Sequence, residues 1–416
     1  MSDYYDAREI RSPESREEAL LAALPQTLDH AIRNAPAMAV RLKGVDPDVV
    51  RTRDELARLP VLRKHDLLTG QTEGRARTGD ALGGFAAPGW RNGRRIFASP
   101  GPLYEPESAR PDYWRFARAL YAAGFRAGDL VHNGFAYHFT PAGAMVETAA
   151  HALGCSVFPA GTGQTEQQVR TMQDLRPAGY AGTPSFLKLL LEKADELGIA
   201  LPSLRKALVS GEAFAPSMRN WLADRGVAGY QAYGSADVGL IAYETPARDG
   251  LVMSEDLILE IVRPGTGDPV PEGEVGEIVV TTLNPDYPLV RFGTGDLSAI
   301  LPGCSPCGRT NQRIRGWLGR ADQTTKVRGM FVHPSQIADI VRRHPELGRA
   351  RLIVRDSPAG DAMDLYAETD GEPEGLAMRV AATARELTKL RADVHLVARG
   401  SLVNDGKVIE DARQYH

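Results

Sequence analysis

The sequence predicts an α/β protein with a large N-terminal domain of parallel sheets layered with helices, a small β-barrel-like subdomain and a small α+β C-terminal domain. Three observations predict this class. Helical and strand-like segments alternate over residues 113–237, which is typical of a parallel sheet covered on both faces. Short apolar runs joined by Pro- and Gly-rich turns over 257–282 indicate β-hairpins. From residue 331 onward, further strands and helices continue for a length that suits a second, smaller domain.

The length and composition describe an ordinary globular protein of more than one domain. A chain of 416 residues is too long for a single core, so two or three domains are expected. The net charge of −4 argues against nucleic acid and anionic membrane surfaces as partners. No apolar run reaches the roughly 20 residues that span a bilayer, and the polar first residues do not resemble a signal or transit peptide. We therefore expect a cytoplasmic protein.

The spacing of apolar residues predicts the elements of both domains. Charged and apolar positions alternate at helical spacing over 15–34, which predicts one or two amphipathic helices. Residues 129–139 begin as a strand and end in an aromatic loop, and an apolar strand over 204–214 ends in Gly211-Glu212. The same reasoning predicts helices at 113–124, 144–153, 166–175 and 374–391, and strands at 155–159, 350–356, 365–369 and 394–397.

Three motifs in a fixed order resemble the end of the large domain, and the hinge, of adenylate-forming enzymes. They are R-F-x-T-x-D at 291–296, G-R-x-D at 319–322 and K-x-R-G at 326–329. Within that superfamily the detail is most similar to the phenylacetate–CoA ligase family, which the segments L-P-V-x-x-K at 59–64 and T-P-S-F at 183–186 also resemble. The resemblance implies a large adenylate-forming domain over 1–320 and a small mobile α+β lid domain over 321–416, with Asp322 as the hinge.

The resemblance also implies a nucleotide site. Asp296 follows an apolar run and would hold the ribose hydroxyls, and Tyr233 would stack near adenine. Asp237 stands where the family has a glutamate that helps to hold magnesium, and a carboxylate oxygen is a ligand that Mg²⁺ accepts. Glu244 is an alternative candidate for this magnesium ligand. Further positions assigned in this way to ATP, Mg²⁺ and CoA are Ser99, Gly211, Glu212, Gly234, Arg320 and Lys326.

Residues for the acid and for catalysis come from the same resemblance. Lys407 follows a glycine near the end of the second domain, where the family carries a lysine that bridges the acid and the α-phosphate. Tyr137, Phe139 and Phe186 fall in segments that line an aryl-acid pocket in the family, although aromatic residues more often fill a core. His138 lies between two of them and is a candidate proton carrier or carboxylate partner.

One segment departs from the family pattern. At 95–106 the family carries a phosphate loop close to A-S-S-G-T-T-G-K-P, which works through backbone N–H groups and hydroxyls. Pro100 and Pro102 remove two N–H donors, and Glu105 replaces the lysine with a group that would repel a triphosphate. The positions that this sequence keeps are Ala98, Ser99, Gly101 and Pro106.

The cysteines predict neither a disulfide framework nor a zinc site. Three cysteines in a chain of this length are too few for a framework of disulfides. Cys304 and Cys307 form a single C-x-x-C, which is half of the four ligands that a structural zinc needs. We expect free thiols in a turn.

The resemblance implies ATP-dependent activation of a carboxylic acid to an acyl-adenylate. The aromatic residues of the segments named above indicate that this acid is aromatic. Transfer to the thiol of CoA or of a carrier protein follows. The altered phosphate loop leaves two alternatives: a non-adenylating acyl-transfer or thioester-processing enzyme on this fold, and a catalytically silent binding protein. Retention of Asp296, Asp322 and Lys407 favours the ligase over the binding protein. The resemblance also suggests a homodimer.

Overall fold

The computed structural model describes residues 3–321, 323, 325–328, 330–357, 360–371 and 374–413. Within these ranges, none of the helices combines the length and the hydropathy that crossing a bilayer requires. The α-helices are α1 Pro13–Asn34, α2 Pro36–Arg41, α3 Arg53–Ala57, α4 Lys64–Thr78, α5 Ala117–Ala122, α6 Ala142–Ala152, α7 Thr165–Leu175, α8 Pro184–Glu196, α9 Pro216–Asp224, α10 Pro334–Arg343 and α11 Leu376–Thr388.

The strands fall into sheets of different size. The larger sheets have the strand orders β14-β15-β10-β9-β8-β7-β6-β4-β5, β1-β13-β12-β11 and β20-β19-β18-β21, and β2-β3 and β16-β17 are two-stranded. The strands are β1 Leu62–Arg63, β2 Arg95–Ser99, β3 Leu103–Glu107, β4 Leu130–Asn133, β5 Ser156–Phe158, β6 Gly179–Gly182, β7 Lys206–Val209, β8 Ala228–Ser235, β9 Gly239–Glu244, β10 Leu251–Met253, β11 Leu257–Val262, β12 Gly276–Thr282, β13 Phe292–Ser298, β14 Ile300–Leu301, β15 Arg313–Ile314, β16 Thr325–Val327, β17 Met330–Val332, β18 Leu347–Ser357, β19 Gly360–Thr369, β20 Asp393–Ala398 and β21 Ile409–Asp411.

The chain divides into two compact units by its internal contacts. Unit 1 comprises 1–259, 280–292 and 301–317, and unit 2 comprises 260–279, 293–300 and 318–416. The second unit therefore contains two segments of the predicted large domain besides the predicted lid. The boundary expected at residue 320 stays a prediction.

Unit 1 is built on the nine-stranded sheet, and it confirms the predicted α/β class. Strands β4, β5, β6, β7 and β8 pair in parallel, and β8, β9, β10 and β15 pair in antiparallel fashion. Parallel strands need crossover connections, which helices α6, α7, α8 and α9 provide. The buried residues of these elements form two apolar clusters, one around Trp114 and Phe125 and one around Tyr180 and Leu187.

Local signals explain where several helices begin. The Ser12 side chain accepts a hydrogen bond from the amide of Ser15, and Pro13 occupies the first turn of α1. Thr183 caps α8 in the same way, with Pro184 after it. The helix predicted over 15–34 is confirmed.

The helix predicted over 113–124 is wrong in its first turn, because α5 begins only at Ala117. Asp112 and Arg115 have positive φ angles of 46° and 66°, which are incompatible with a right-handed helix. The Asp112 carboxylate instead accepts the amide of Ala117 at 3.1 Å.

Unit 2 carries the α+β arrangement predicted for the C-terminal segment. Strands β18 and β19 pair in antiparallel fashion, and β20 and β21 add in parallel at the two edges. Helices α10 and α11 contribute Ile337, Ile340 and Val380 to a buried cluster with the sheet. The short edge strand β21, two residues after Lys407, was not predicted.

Candidate active site

The carboxyl edge of the parallel sheet in unit 1 carries several of the predicted site residues. The connection after β4 leads to β5 on one side, and the next connection leads to β6 on the other side of β4. Such a reversal opens a crevice at the carboxyl ends of the two strands, which is the usual ligand site of open α/β sheets. The amide of Gly134, just after β4, donates to the carbonyl of Ala181 in β6 at 2.8 Å.

Tyr137 and Phe139 lie in the loop after β4. Asn133 donates to the Tyr137 hydroxyl at 2.7 Å, and burial and then the nearby Glu147 carboxylate raise the pKa of Tyr137. Phe139 has a φ of 62° and a side chain that is 75% exposed. Its carbonyl accepts the amide of Ala98 at 2.8 Å, which ties this loop to β2. The structure therefore places both aromatic residues in the loop at the carboxyl end of β4, with Tyr137 held by Asn133 and Phe139 exposed, and His138 is also exposed.

Phe186 lies in the first turn of α8, which follows β6, and Glu212 lies in the loop after β7. The Ser185 hydroxyl donates to Glu212 Oε1 at 2.9 Å, which links the first turn of α8 to the loop after β7. Phe186 is half-buried and packs against the apolar cluster around Tyr180. Gly211, with a φ of 81°, forms the turn that presents Glu212.

Tyr233 and Gly234 lie near the end of β8, where the register with β9 shifts by one residue. Tyr233 is buried. A Cβ atom on Gly234 would lie 2.5 Å from the carbonyl oxygen of Gly239, so only glycine fits this approach of two strands.

Asp237 is a buried carboxylate in the turn between β8 and β9. Its side chain is 2% exposed, and Lys64 Nζ lies 3.6 Å from Oδ2. Oδ1 has no hydrogen-bond partner among the residues that the structure describes. Burial raises the pKa of Asp237, and Lys64 opposes that shift. Sequence reasoning placed Asp237 at a metal but did not pair it with Lys64, although Lys64 ends the quoted L-P-V-x-x-K segment.

The expected phosphate loop is a β-hairpin in this chain. Strand β2 pairs with β3 from Arg95–Glu107 to Ser99–Leu103, so the Pro-Gly-Pro segment forms a tight connection. The hydroxyl of Ser99 donates to Glu105 Oε1 inside the hairpin. Glu105 is fully buried, and burial and then the charge of Asp237 raise its pKa to about 8. Ser99 therefore does not offer its hydroxyl to a phosphate here, contrary to a simple phosphate cradle.

Unit 2 holds Asp296 and Arg320 as a pair. Arg320 Nη1 donates to Asp296 Oδ1 at 2.9 Å, and the two residues form an isolated β-bridge. Gly295 has a φ of 73°, and a Cβ atom at this position would lie 2.7 Å from the Arg320 guanidinium. Two residues predicted for the site are thus neighbours.

Lys407 is exposed at the end of a well-anchored segment of unit 2. Gln323 donates to the Gly406 carbonyl at 2.9 Å and accepts the amide of Ile409 at 2.8 Å. The Lys407 side chain lines a cavity of about 150 Å³ together with Arg263 and Val341. The predicted hinge Asp322 lies outside the described residues, and for Lys326 the structure describes only the backbone, in β16.

The cysteines are free thiols, as predicted, with Cys155 buried and Cys304 exposed. Cys307 Sγ lies 3.1 Å from the Ser305 hydroxyl, and Arg309 Nη1 donates to it at 3.5 Å. In the described part of the chain, no group of three or more His, Cys, Asp or Glu is placed to hold a metal ion. The expected lack of zinc stays a prediction.

Comparisons with known proteins agree with this arrangement. The family described as AMP-binding enzyme matches residues 116–284. Phenylacetate-coenzyme A ligase of Aromatoleum evansii is 32% identical over 353 residues, which are 81% of this chain and 77% of that protein. The ligase of the same name from Thermus thermophilus is 33% identical over 341 residues, 78% and 74% of the two chains. A 2-hydroxyisobutyryl-CoA ligase has been solved in an open conformation with 2-HIB-AMP and CoA. That structure matches with a TM-score of 0.73 at 24% identity, and the match covers 97% of this chain and 92% of that chain. The match supports the fold.

The fold is that of an α/β protein, and the family model together with the relatives makes it an enzyme of the AMP-binding class. More particularly, the chain belongs to the phenylacetate–CoA ligase family.

Proposed function

We propose that the chain activates a carboxylic acid with ATP as an acyl-adenylate and then transfers the acyl group to CoA. The observation that carries this proposal is the identity of about one third to phenylacetate-coenzyme A ligases over about four fifths of the chain. In the first step an oxygen of the acid attacks the α-phosphorus of ATP, and pyrophosphate leaves. In the second, the CoA thiolate attacks the acyl carbon, and AMP leaves.

The chemistry requires charge neutralisation more than covalent help. A carboxylate has no good leaving group, whereas the mixed anhydride with AMP has one. The approach of a carboxylate to a phosphate brings two anions together, so a positioned cation lowers the barrier. We assign the role of that cation to Lys407, and we assign binding of the ribose hydroxyls to Asp296.

We assign the acid to the crevice between β4 and β6. Tyr137 and Phe139, in the loop after β4, supply aromatic surface at that edge of the sheet, which favours an aryl or arylalkyl acid. We keep Phe186 as a third candidate, although it packs partly buried against the apolar cluster around Tyr180. His138 is exposed beside them and is our candidate for contact with the carboxylate of the incoming acid.

Magnesium fits the residues at Asp237. A buried carboxylate oxygen without a partner is a site that a hard cation would satisfy. When bound, the metal would offset the charge of the triphosphate, and the exposed ammonium of Lys64 beside it provides a second positive group.

The altered hairpin β2–β3 is the observation that favours an enzyme without ATP use as the second candidate function. Because Pro100 and Pro102 lack N–H groups and Ser99 bonds to Glu105, the hairpin does not provide the usual phosphate contacts. An enzyme of this fold that transfers acyl groups without ATP remains the second candidate, ahead of a silent binding protein. We propose CoA rather than a carrier-protein thiol as the acceptor. The homodimer and the cytoplasmic location stay predictions.

Pyrophosphate release tests the proposal. The full chain is incubated with Mg²⁺ and ATP and with a panel of benzoate, phenylacetate, cinnamate and short aliphatic acids, and pyrophosphate is measured with and without CoA. We expect release with at least one aromatic acid, and formation of the matching CoA thioester. No release with any acid, together with no binding of ATP by calorimetry, would exclude the ligase and favour the alternative.

A further inference from the structure

Cys304 and Cys307 form a C-x-x-C motif in unit 1 that the proposed function does not use. Cys304 is exposed and belongs to no helix or strand, and Cys307 is partly buried. The amide of Gly308 donates to the carbonyl of Ser305 at 3.0 Å, which closes a β-turn with Cys307 at its third position. The motif therefore places two free thiols in and beside one turn at the surface.

Two hydrogen-bond donors face the sulfur of Cys307. Its Sγ lies 3.1 Å from the Ser305 hydroxyl. The oxygen of that hydroxyl accepts the amide of Cys307 at 3.4 Å, so the hydroxyl proton is free to point at the sulfur. Arg309 Nη1 donates to the same sulfur at 3.5 Å. Donors of this kind stabilise the thiolate, which is the nucleophilic form of cysteine.

Contacts on its other side fix the Arg309 guanidinium. Arg309 is 2% exposed, and its Nη2 donates to the carbonyl of Asp3 at 3.0 Å. Nη2 also lies 3.2 Å from Oε2 of the buried Glu9, so this acid takes part of the charge while Nη1 stays directed at the sulfur. Burial raises the pKa of the Cys307 thiol, but the hydrogen bonds to its sulfur outweigh burial, and the pKa is lowered.

Cys155, the third cysteine, lies in a contrasting environment. It is buried, and its Sγ donates to the carbonyl of Arg126 at 3.1 Å. Ionisation would remove this hydrogen bond, and burial and then the nearby Asp129 raise the pKa of the thiol. The chain therefore contains an inert thiol against which the motif can be compared.

We propose that Cys307 and Cys304 form a reversible modification site for low-molecular-weight disulfides. In the first step the Cys307 thiolate attacks one sulfur of a disulfide RS–SR. A mixed disulfide of Cys307 and SR forms, and the RS⁻ that leaves takes up the proton that Cys307 gave up. In the second step the Cys304 thiolate attacks Sγ of Cys307 and displaces the second RS⁻, which takes up the Cys304 proton. Two protein thiols are oxidised to one disulfide, and RS–SR is reduced to two RSH.

The roles of the two thiols follow from their surroundings. Cys307 carries the stabilised thiolate, so it is the nucleophile of the first step. Cys304 is exposed and two residues separate it from Cys307, which is the spacing at which C-x-x-C motifs close a disulfide. Ser305 touches no reacting disulfide and is a positioning residue.

Reaction with glutathione disulfide tests the inference. The full chain is incubated with excess glutathione disulfide at pH 7.5 without ATP, acid or CoA, and products are followed by intact mass and peptide mapping. We expect Cys304→Ser to trap one glutathione on Cys307, and the wild type to end as the disulfide without glutathione. Cys307→Ser should react at Cys304 at least about tenfold more slowly. Ser305→Ala, added to Cys304→Ser, should slow the reaction at Cys307.

Cys155→Ala is the matched control, because it removes a thiol and leaves both cysteines of the motif in place. It should react as the wild type does, and circular dichroism confirms that each variant is folded. Equal rates at Cys307 in Cys304→Ser and at Cys304 in Cys307→Ser would overturn Cys307 as the nucleophile. Glutathione that stays on the wild type would overturn the role of Cys304. Since neither ATP nor CoA takes part, both results would leave the proposed function standing.

Discussion

The ammonium of Lys64 lies 3.6 Å from Oδ2 of Asp237, so the buried carboxylate is paired at one oxygen and open at the other. Lys64 begins α4, directly after the short strand β1, whereas Asp237 lies in the turn after β8. The pair therefore joins the N-terminal segment to the carboxyl edge of the sheet in unit 1. The buried charge depends on its partner for stability.

Replacement of Lys64 should destabilise the protein in a pH-dependent way. Lys64→Met leaves Asp237 buried without its partner, so we expect a loss of roughly 1–3 kcal/mol in the free energy of unfolding at pH 7.5. The loss should become smaller as the pH is lowered, because burial raises the pKa of Asp237 and protonation removes the charge that Lys64 offsets. Urea denaturation measures both values. Lys188→Met, on an exposed helix face, should change stability by less than about 0.5 kcal/mol, and an equal loss in both variants would contradict the role of the pair.

Glu105 should make the metal-free protein less stable as the pH rises. Burial, and then Asp237, raise its pKa from 4.5 to about 8, so the folded state keeps a proton that the unfolded chain releases in this window. Because the unfolded state binds fewer protons there, the free energy of unfolding falls as the pH rises from about 5 to about 8. With a chelator present, Glu105→Gln should flatten this fall in urea titrations. Glu346→Gln, an exposed glutamate, should keep the wild-type slope, and a wild-type slope in Glu105→Gln would count against a buried protonated Glu105.

Lys407→Ala should separate the two half-reactions. Loss of the positioned cation should slow acyl-adenylate formation about 100-fold or more, while thioester formation from a supplied acyl-adenylate and CoA stays near the wild-type rate. Pyrophosphate release and thioester absorbance report the two steps. Lys188→Ala serves as the surface control. Unchanged adenylation in Lys407→Ala would remove the assigned role.

The cysteines should differ in reactivity. Hydrogen bonds from Ser305, Thr245 and Arg309 outweigh burial and lower the pKa of Cys307, whereas burial raises the pKa of Cys155. Iodoacetamide at pH 7, followed by peptide mass spectrometry, should modify Cys307 well before Cys155. Ser305→Ala should slow the modification of Cys307. Equal rates at the two sites in the native protein would be inconsistent with the geometry.

Gly234 should not tolerate a side chain. The Cβ of Gly234→Ala would approach the Gly239 carbonyl to 2.5 Å, so we expect a destabilisation of about 1–3 kcal/mol in urea denaturation. Gly371→Ala, where no heavy atom lies within 4 Å of the new Cβ, is the matched control and should be nearly neutral. A tolerated Gly234→Ala would show that β8 and β9 can separate locally.

Much of the fold could be predicted because it follows from local pattern. Apolar runs such as β7, bounded by polar or glycine residues, mark buried parallel strands, and Ser12 and Thr183 mark helix starts by capping. Tyr233 lies near the end of β8, as predicted, whereas the strand predicted over 204–214 ends at Val209 and Glu212 lies in the loop after it.

The remaining features depend on contacts between distant residues. Lys64 and Asp237 lie in segments that are far apart in the sequence, and nothing in either segment indicates that the two side chains pair. The hairpin β2–β3 was hidden because its prolines argue against strands, yet Pro106 pairs opposite Ile96 at the edge of a two-stranded ribbon. The left-handed conformation of Arg115, with the guanidinium donating to the Leu240 carbonyl at 3.3 Å, is likewise set by tertiary structure.

Acid-dependent exchange of labelled pyrophosphate into ATP, in the absence of CoA, tests the central claim most directly. The exchange requires reversible formation of an acyl-adenylate and nothing beyond it. We predict exchange that depends on an aromatic acid and on a divalent cation and that is lost in Lys407→Ala. A folded wild-type chain that binds its acid and CoA but shows no exchange with any acid would contradict the assignment of an adenylate-forming reaction.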